Sequence, residues 1–212
     1  MKTYLIKTPS IISRIYSKYI WRFSTNKKDV YLTFDDGPTP EITPFVLDIL
    51  KKYNAKATFF CIGKNIEKHP NLFKRIVDEG HSVGNHTQHH KNGWKTSVKS
   101  YIREVEMCDT IIHKFTVSDK KLFRPPYGKI TNKKAKEIIK RGYKIVMWTV
   151  LSADFDSKVS KENCLQNVLK NTKKGNIIVF HDSLKASEKL KYVLPQIMKD
   201  FTLQKLTFKA IK

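Results

Sequence analysis

Two short segments of the chain combine residue types that bind metal ions and activate water. Asp35 and Asp36 are adjacent carboxylates, and His86 and His90 are spaced so that one helical turn would place both on the same face. His89 competes with His90 for the second position. Two imidazoles and one carboxylate form the ligand set of many hydrolytic zinc sites, which leave positions open for water. The pattern indicates metal-assisted hydrolysis. The same residues also occur in an exposed acidic turn and in a surface histidine cluster, and these are the alternatives.

Three other ionisable residues follow apolar segments and can complete such a site. Arg124 stands between an apolar strand candidate and two prolines, where its guanidinium can hold a carboxylate through a bidentate pair and keep it ionised. His181 closes an apolar run, and Asp154 can orient its ring and raise its pKa, as a general acid requires. A lone histidine in that setting is more often a core residue, so this alternative stays open.

Alternating secondary structure positions these residues. Short apolar segments predict strands at residues 30–34, 57–62, 82–85, 122–123, 144–150, 176–180 and 203–208. Periodic segments between them predict helices at residues 43–53, 71–79, 96–115, 132–141, 160–171 and 187–200. The alternation indicates parallel βαβ units in an α/β fold, either a small or incomplete barrel or an open doubly wound sheet. In both folds catalytic groups collect at the carboxyl ends of strands, where the candidate residues fall.

Length and composition fit one globular domain. The 212 residues are 40% hydrophobic and carry a net charge of +22, from 41 Lys and Arg against 19 Asp and Glu. Such a charge suits a polyanion partner, but the lysines are scattered as on a solvated surface, and without a recognition motif we expect no nucleic-acid partner. The three cysteines share no short spacing and are predicted to be buried free thiols. We expect a monomer.

Residues 1–27 are predicted to form a basic amphipathic segment that packs on a domain formed by residues 28–212. Within residues 11–23, apolar and basic side chains recur on two faces of a predicted helix. Contact of this helix with an anionic membrane surface is the alternative to packing. Basic residues interrupt every run long enough for a signal peptide or a membrane span, so the sequence predicts a cytoplasmic or peripherally membrane-bound protein.

Five ordered motifs resemble those of a known enzyme family. The first three motifs of the polysaccharide deacetylases, the family 4 carbohydrate esterases with a NodB-homology domain, resemble residues 33–38 (TFDDGP), 86–90 (HTQHH) and 124–128 (RPPYG). The family's second and third strands resemble residues 57–60 (ATFF) and 80–85 (GHSVGN). The resemblance extends over residues 28–200. It implies an α/β fold of a single domain, a distorted and partly closed (β/α)7 barrel.

The resemblance also implies a role for each matching residue. Asp35 would be the general base and Arg124 would position it, while Asp154 would orient His181 as the general acid. The metal ligands would be Asp36, His86 and His90, which settles the choice against His89.

The substrate would be contacted by Tyr127, whose backbone N–H would face the oxyanion, and by Pro126, Phe155 and Val179. Phe155 stands where the family usually has Trp, and Val179 where it usually has Leu, so the acetyl pocket stays apolar but changes shape. Leu151 takes a place that is often Asp. The exact substrate therefore stays open.

The expected reaction is metal-dependent removal of N-acetyl groups from N-acetylglucosamine-type residues of a peptidoglycan-like or chitin-like polysaccharide, with release of acetate. The resemblance implies one divalent ion. Zn²⁺ is the expected ion, and the same ligands can also bind Co²⁺ or Ni²⁺. Three alternatives remain from the sequence. They are an esterase of O-acetylated xylan or another glycan, a hydrolase of non-sugar amides, and a basic polyanion-binding domain with a vestigial site.

Overall fold

The computed structural model describes residues 4–116 and 121–212, which form one central parallel sheet flanked by helices. Its strands are β1 Asp29–Asp35, β2 Thr58–Cys61, β3 Ser82–Asn85, β4 Lys121–Phe123, β5 Tyr143–Ile145, β6 Val150–Leu151, β7 Ile177–His181 and β8 Thr207–Phe208. Hydrogen-bonded neighbours follow the order β5-β4-β3-β2-β1-β7-β6, and β8 pairs with the start of β1. Strand β1, which ends in Asp35, therefore lies inside the sheet between β2 and β7.

The helices of the described residues connect successive strands, except for α1, which precedes β1. They are α1 Ser10–Ile15, α2 Ile42–Lys52, α3 Gly63–Lys68, α4 Pro70–Asp78, α5 Val98–Ile112, α6 Asn132–Lys140, α7 Lys161–Leu169 and α8 Ser187–Leu203. In the largest core cluster the rings of Phe34, Phe59 and Phe180 stack across β1, β2 and β7. All three are fully buried, as expected for parallel strands that are covered on both faces.

The sheet curls around the core, and its two edge strands are β5 and β6. N-terminal residues lie at both edges: Ile20 pairs in parallel with Val146 next to β5, and Lys7 pairs antiparallel with Val150 in β6. The result is a curled sheet surrounded by helices, partly closed by a segment from outside the repeating βα units. The predicted α/β fold, a distorted and partly closed (β/α)7 barrel in a single domain, is confirmed.

The helix predicted for residues 11–23 is wrong beyond Ile15, where α1 ends. The backbone of Ile20 instead donates to the Ile145 carbonyl and accepts from the Met147 N–H, each at 2.8 Å. An edge strand offers unpaired backbone groups, and pairing with them replaces the helical hydrogen bonds. Trp21, the next residue, is buried in a core cluster.

Two further properties of this N-terminal segment stay predictions: membrane contact and a domain boundary after residue 27. The first three residues of the segment lie outside the described residues. Across residues 4–116 and 121–212, the helices are too short or too polar to cross a membrane. The three cysteines are buried and free, as predicted.

Local differences from the sequence-based elements have local causes. The strand predicted at residues 144–150 is interrupted after Ile145, because the Met147 N–H and the Thr149 carbonyl pair with N-terminal residues. Helix α3 was not predicted. Helix α2 begins at Ile42, one residue before the predicted start, and the Thr43 hydroxyl donates to Asp182 Oδ2 at 2.5 Å.

Candidate active site

The carboxyl ends of the strands enclose one cavity of about 340 Å³ that contains most of the candidate residues. Asp35 ends β1 and His181 ends β7, and the two residues are partners in the parallel register. The cavity is lined by Tyr4, Asp35, Asp36, His86, His90, Tyr127, Gly128, Trp148, Leu151, Phe155, Val179, His181 and Lys185. Central strands therefore place two ionisable side chains next to each other at the base of the cavity.

Three of these side chains present ligand atoms to a common point. One ligand atom each from Asp36, His86 and His90 lies within 4.8 Å of the others. Asp36 Oδ1 is 3.2 Å from His90 Nε2 and 3.7 Å from His86 Nε2. This oxygen is buried and has no hydrogen-bond partner in the described part of the chain. A buried anionic oxygen facing two imidazole nitrogens fits a divalent cation.

The protonation of the two histidines agrees with that fit. His86 Nδ1 lies 2.7 Å from the Arg124 carbonyl and donates to it, which leaves the Nε2 lone pair facing Asp36. His90 Nδ1 lies 3.1 Å from the Tyr127 hydroxyl. Burial lowers the pKa of His90 and holds the pKa of His86 well below its usual value. Neutral imidazoles with free Nε2 atoms are the form that binds zinc.

His89 faces away from this point. Its Nδ1 is 3.1 Å from Glu104 Oε1, and its backbone N–H donates to Glu104 Oε2 at 2.9 Å. Residues 86–90 do not form the helical turn that their spacing suggested. Thr87 and His90 have φ angles of +66° and +54°, and these left-handed residues turn His86 and His90 towards each other. Backbone strain of this kind in non-glycine residues is typical of functional sites.

Arg124 lies beneath the cavity, fully buried, and contacts Asp35. Its Nη1 donates to Asp35 Oδ1 and to Thr33 Oγ1, both at 2.7 Å, and its other N–H groups donate to the carbonyls of Val146 and Met147 at 3.1 Å. The bidentate pair expected from the sequence is thus a single contact. Burial raises the pKa of Asp35, against the lowering effect of the guanidinium. A raised carboxyl pKa suits a general base.

His181 is held by Asp154, which is fully buried. Asp154 Oδ1 lies 2.7 Å from His181 Nδ1, and Oδ2 accepts from the His181 backbone N–H at 2.7 Å. Burial alone would lower the pKa of His181, but the charge and hydrogen bond of Asp154, with the charges of Asp36 and Asp35, raise it to about 9. The ring is therefore protonated at neutral pH, and its Nε2 proton is available to the cavity.

Asp154→Asn is expected to move the alkaline limb of the kcat/KM profile to lower pH. The charge of Asp154 keeps His181 protonated up to a pKa of about 9, so its loss lowers that pKa and the acid is deprotonated earlier. Rates measured between about pH 6 and 10 test this shift. The matched control is Asp48→Asn in α2, whose exposed carboxylate lies outside the cavity lining and which should keep the wild-type limb. An unmoved limb in Asp154→Asn would show that the Asp154 carboxylate does not tune His181.

The remaining predicted contacts differ in their exposure. Phe155 and Val179 line the cavity, and the Phe155 ring packs edge-on against His181 with 5.1 Å between ring centroids. Tyr127 is 60% exposed at the rim and has a φ of +60°. Pro126 is buried in the turn Pro126–Gly128 and does not belong to the described lining. Its contact with substrate, like the catalytic roles, stays a prediction.

Sequence reasoning missed three polar or aromatic residues of the lining. Trp148 follows the carboxyl end of β5, and Lys185 follows the carboxyl end of β7, so strand-end position could have suggested both. Tyr4 lies far from every motif, and its place in the wall depends on the pairing of the N-terminal segment with the sheet.

Comparison with known proteins decides the family. Residues 23–146 match the family described as Polysaccharide deacetylase. The chain belongs to the polysaccharide deacetylase family. The predicted family and the predicted class of carbohydrate-active hydrolase are confirmed by this match and by the relatives below.

Three relatives illustrate what this polysaccharide deacetylase is similar to. A peptidoglycan-N-acetylglucosamine deacetylase of Bacillus cereus is 42% identical over 168 residues, which cover 78% of the chain and 61% of that relative. The peptidoglycan-N-acetylmuramic acid deacetylase PdaA of Bacillus subtilis is 32% identical over 191 residues, covering 89% and 72%. The crystal structure of the Bc1960 peptidoglycan N-acetylglucosamine deacetylase superposes with a TM-score of 0.88 at 35% identity, covering 96% and 95%. The chain thus spans about three fifths of the first relative and nearly all of the crystallised chain.

Proposed function

We propose that this protein removes acetyl groups from N-acetylglucosamine residues of peptidoglycan. The reaction uses one bound divalent metal ion, and zinc is the expected ion. The observation that carries the proposal is the cavity in which Asp36, His86 and His90 converge while Asp35 and His181 line the same space. A ligand triad, a base and an acid are the full set of groups that amide hydrolysis requires. The peptidoglycan named for the relatives supports the choice of polymer.

Asp36, His86 and His90 would hold the ion. Bound there, it would polarise the acetyl carbonyl and lower the pKa of water, the chemistry that metal ions supply in hydrolases. Oδ1 of Asp36, which has no hydrogen-bond partner among the described residues, and the Nε2 atoms of His86 and His90, which face it, are available for this role.

The chain's own groups move the protons. Asp35 takes a proton from the attacking water, since Arg124 engages its Oδ1 and leaves Oδ2 for the cavity. The water oxygen bonds to the acetyl carbon, and the Tyr127 backbone N–H stabilises the developing oxyanion. His181 then gives its Nε2 proton to the sugar nitrogen as the C–N bond breaks. The products are acetate and a free amine. Asp35 then releases its proton to solvent, and His181 takes up a proton from solvent, which the contact with Asp154 favours by raising the pKa of His181.

The wall beyond His181 is apolar and small. Leu151, Phe155 and Val179 line it together with Trp148, and the three aliphatic or phenyl side chains carry no hydrogen-bonding group. Such a wall accepts a methyl group and excludes long acyl chains.

Acetate release from a panel of polymers tests this function. We expect turnover of purified peptidoglycan and of N-acetylglucosamine oligomers, with mass spectrometry identifying the sugar that gains the free amine. Preference for acetyl-xylan would instead make the protein an O-acetyl esterase. Absence of acetate from every polymer, with salt-sensitive binding to anionic polymers, would favour a basic binding domain with a vestigial site.

A further inference from the structure

One side chain of the cavity wall comes from outside the βα units. Tyr4 lines the cavity with Phe155 and His181. Its hydroxyl donates to Asp156 Oδ2 at 2.5 Å, and its ring meets the Phe155 ring edge-on with centroids 5.3 Å apart. Tyr4 therefore contacts two successive residues of the loop that follows β6.

The same loop holds the candidate general acid. Asp154 binds His181 at 2.7 Å, and Phe155 packs its ring against the His181 ring at 5.1 Å between centroids. Asp156 receives the Tyr4 hydroxyl and also accepts from the Lys158 N–H at 2.9 Å. Three consecutive residues thus connect Tyr4 to the His181 ring.

The N-terminal segment is fixed to the wall by its backbone. The Leu151 N–H donates to the Ile6 carbonyl at 2.8 Å, and the Thr8 N–H donates to the Thr149 carbonyl at 3.0 Å. The Thr8 hydroxyl adds a hydrogen bond to the Trp148 carbonyl at 2.9 Å. Because Leu151 and Trp148 themselves line the cavity, these bonds set the position of Tyr4 relative to the apolar wall.

We propose that Tyr4 is a positioning residue that limits the acyl pocket to an acetyl group. It holds Phe155 against His181 from the outer side, and its own ring fills the space next to the apolar wall. The proposal rests on the proposed N-deacetylation and concerns which acyl group that site accepts. Without the Tyr4 ring, Phe155 loses its outer support and the pocket gains room for a longer chain.

The test compares N-acetyl and N-propionyl oligomers of glucosamine as substrates. In Tyr4→Ala, the ratio of kcat/KM for propionyl over acetyl should rise about tenfold, which is the low end of what one methylene is worth in an apolar pocket. Tyr4→Phe keeps the ring and loses only the bond to Asp156, so its ratio should stay nearer to wild type. The matched control is Tyr16→Ala, which removes a tyrosine of the same segment that is 42% exposed and does not line the cavity.

An unchanged ratio in Tyr4→Ala, with wild-type activity present, would overturn this role and leave the proposed function standing. Calorimetric binding of both oligomers to Asp35→Asn, with and without Tyr4→Ala, gives a second readout that needs no turnover. Tighter relative binding of the propionyl oligomer in the double variant is the expected result. If neither oligomer binds and the wild type releases no acetate, the proposed function fails, and the role of Tyr4 fails with it.

Discussion

Asp35→Asn is expected to lower kcat by about a thousandfold while the metal content of the protein stays unchanged. Asparagine has nearly the same shape and can keep the contact with Arg124 through its amide oxygen, but it cannot take a proton from water. Asp35 also stands outside the convergent triad of Asp36, His86 and His90. The measurements are initial rates of acetate release and the metal content of the purified protein by mass spectrometry.

Two results for Asp35→Asn would contradict its assignment as the general base, and they have different explanations. A variant that keeps full turnover would show that another group activates the water. A variant that loses metal and activity together would make Asp35 a ligand, contrary to its contact with the Arg124 guanidinium. Melting temperature serves as the control for folding, because Asp35 is buried and an amide there changes the partner of a buried cation.

The second large effect is expected for His86→Ala, which should lose both metal and activity. His86 is buried, and its Nε2 atom is oriented by the bond from Nδ1 to the Arg124 carbonyl. Loss of an outer partner of a metal ligand already costs about 10–100-fold in metal affinity, so loss of the ligand itself should cost more. Metal affinity can be measured by competition with a chromogenic chelator, and acetate release by the assay used for the wild type.

The neighbouring histidines provide a matched pair. His90→Ala should behave like His86→Ala, whereas His89→Ala should keep metal and activity, since His89 binds Glu104 instead. Zinc should raise the melting temperature of the wild type and of His89→Ala, and it should do so far less in the two ligand variants. Equal loss of metal in His89→Ala and His90→Ala would refute the assignment of His90.

Much of the site was predictable because parallel strands end at one edge of the sheet. Asp35 and His181 directly end apolar strands, and the register of β1 with β7 makes them neighbours. Arg124 follows β4, and its side chain reaches back beneath the sheet to Asp35. Strand identity was readable from apolar runs, and the parallel orientation of the strands followed from their alternation with helices.

Interactions between distant parts of the chain were not predictable in the same way. The apolar and basic pattern around Ile20 has helical spacing, yet its backbone bonds to Ile145 beside an open sheet edge. No local property of the sequence shows where an edge will be left unpaired. The position of Tyr4 in the cavity wall depends on the pairing of the N-terminal segment with the sheet edge. The approach of His86 and His90 depends on two residues with left-handed backbone conformation, which the residue types do not indicate because neither is glycine.

The most direct test of a metal-dependent deacetylase is acetate release from peptidoglycan before chelation, after chelation, and after metal is added back. We expect activity to disappear when the chelator has removed the metal and to return with zinc or cobalt, in parallel with the metal content. Full activity in protein shown to be free of metal would contradict the role assigned to Asp36, His86 and His90.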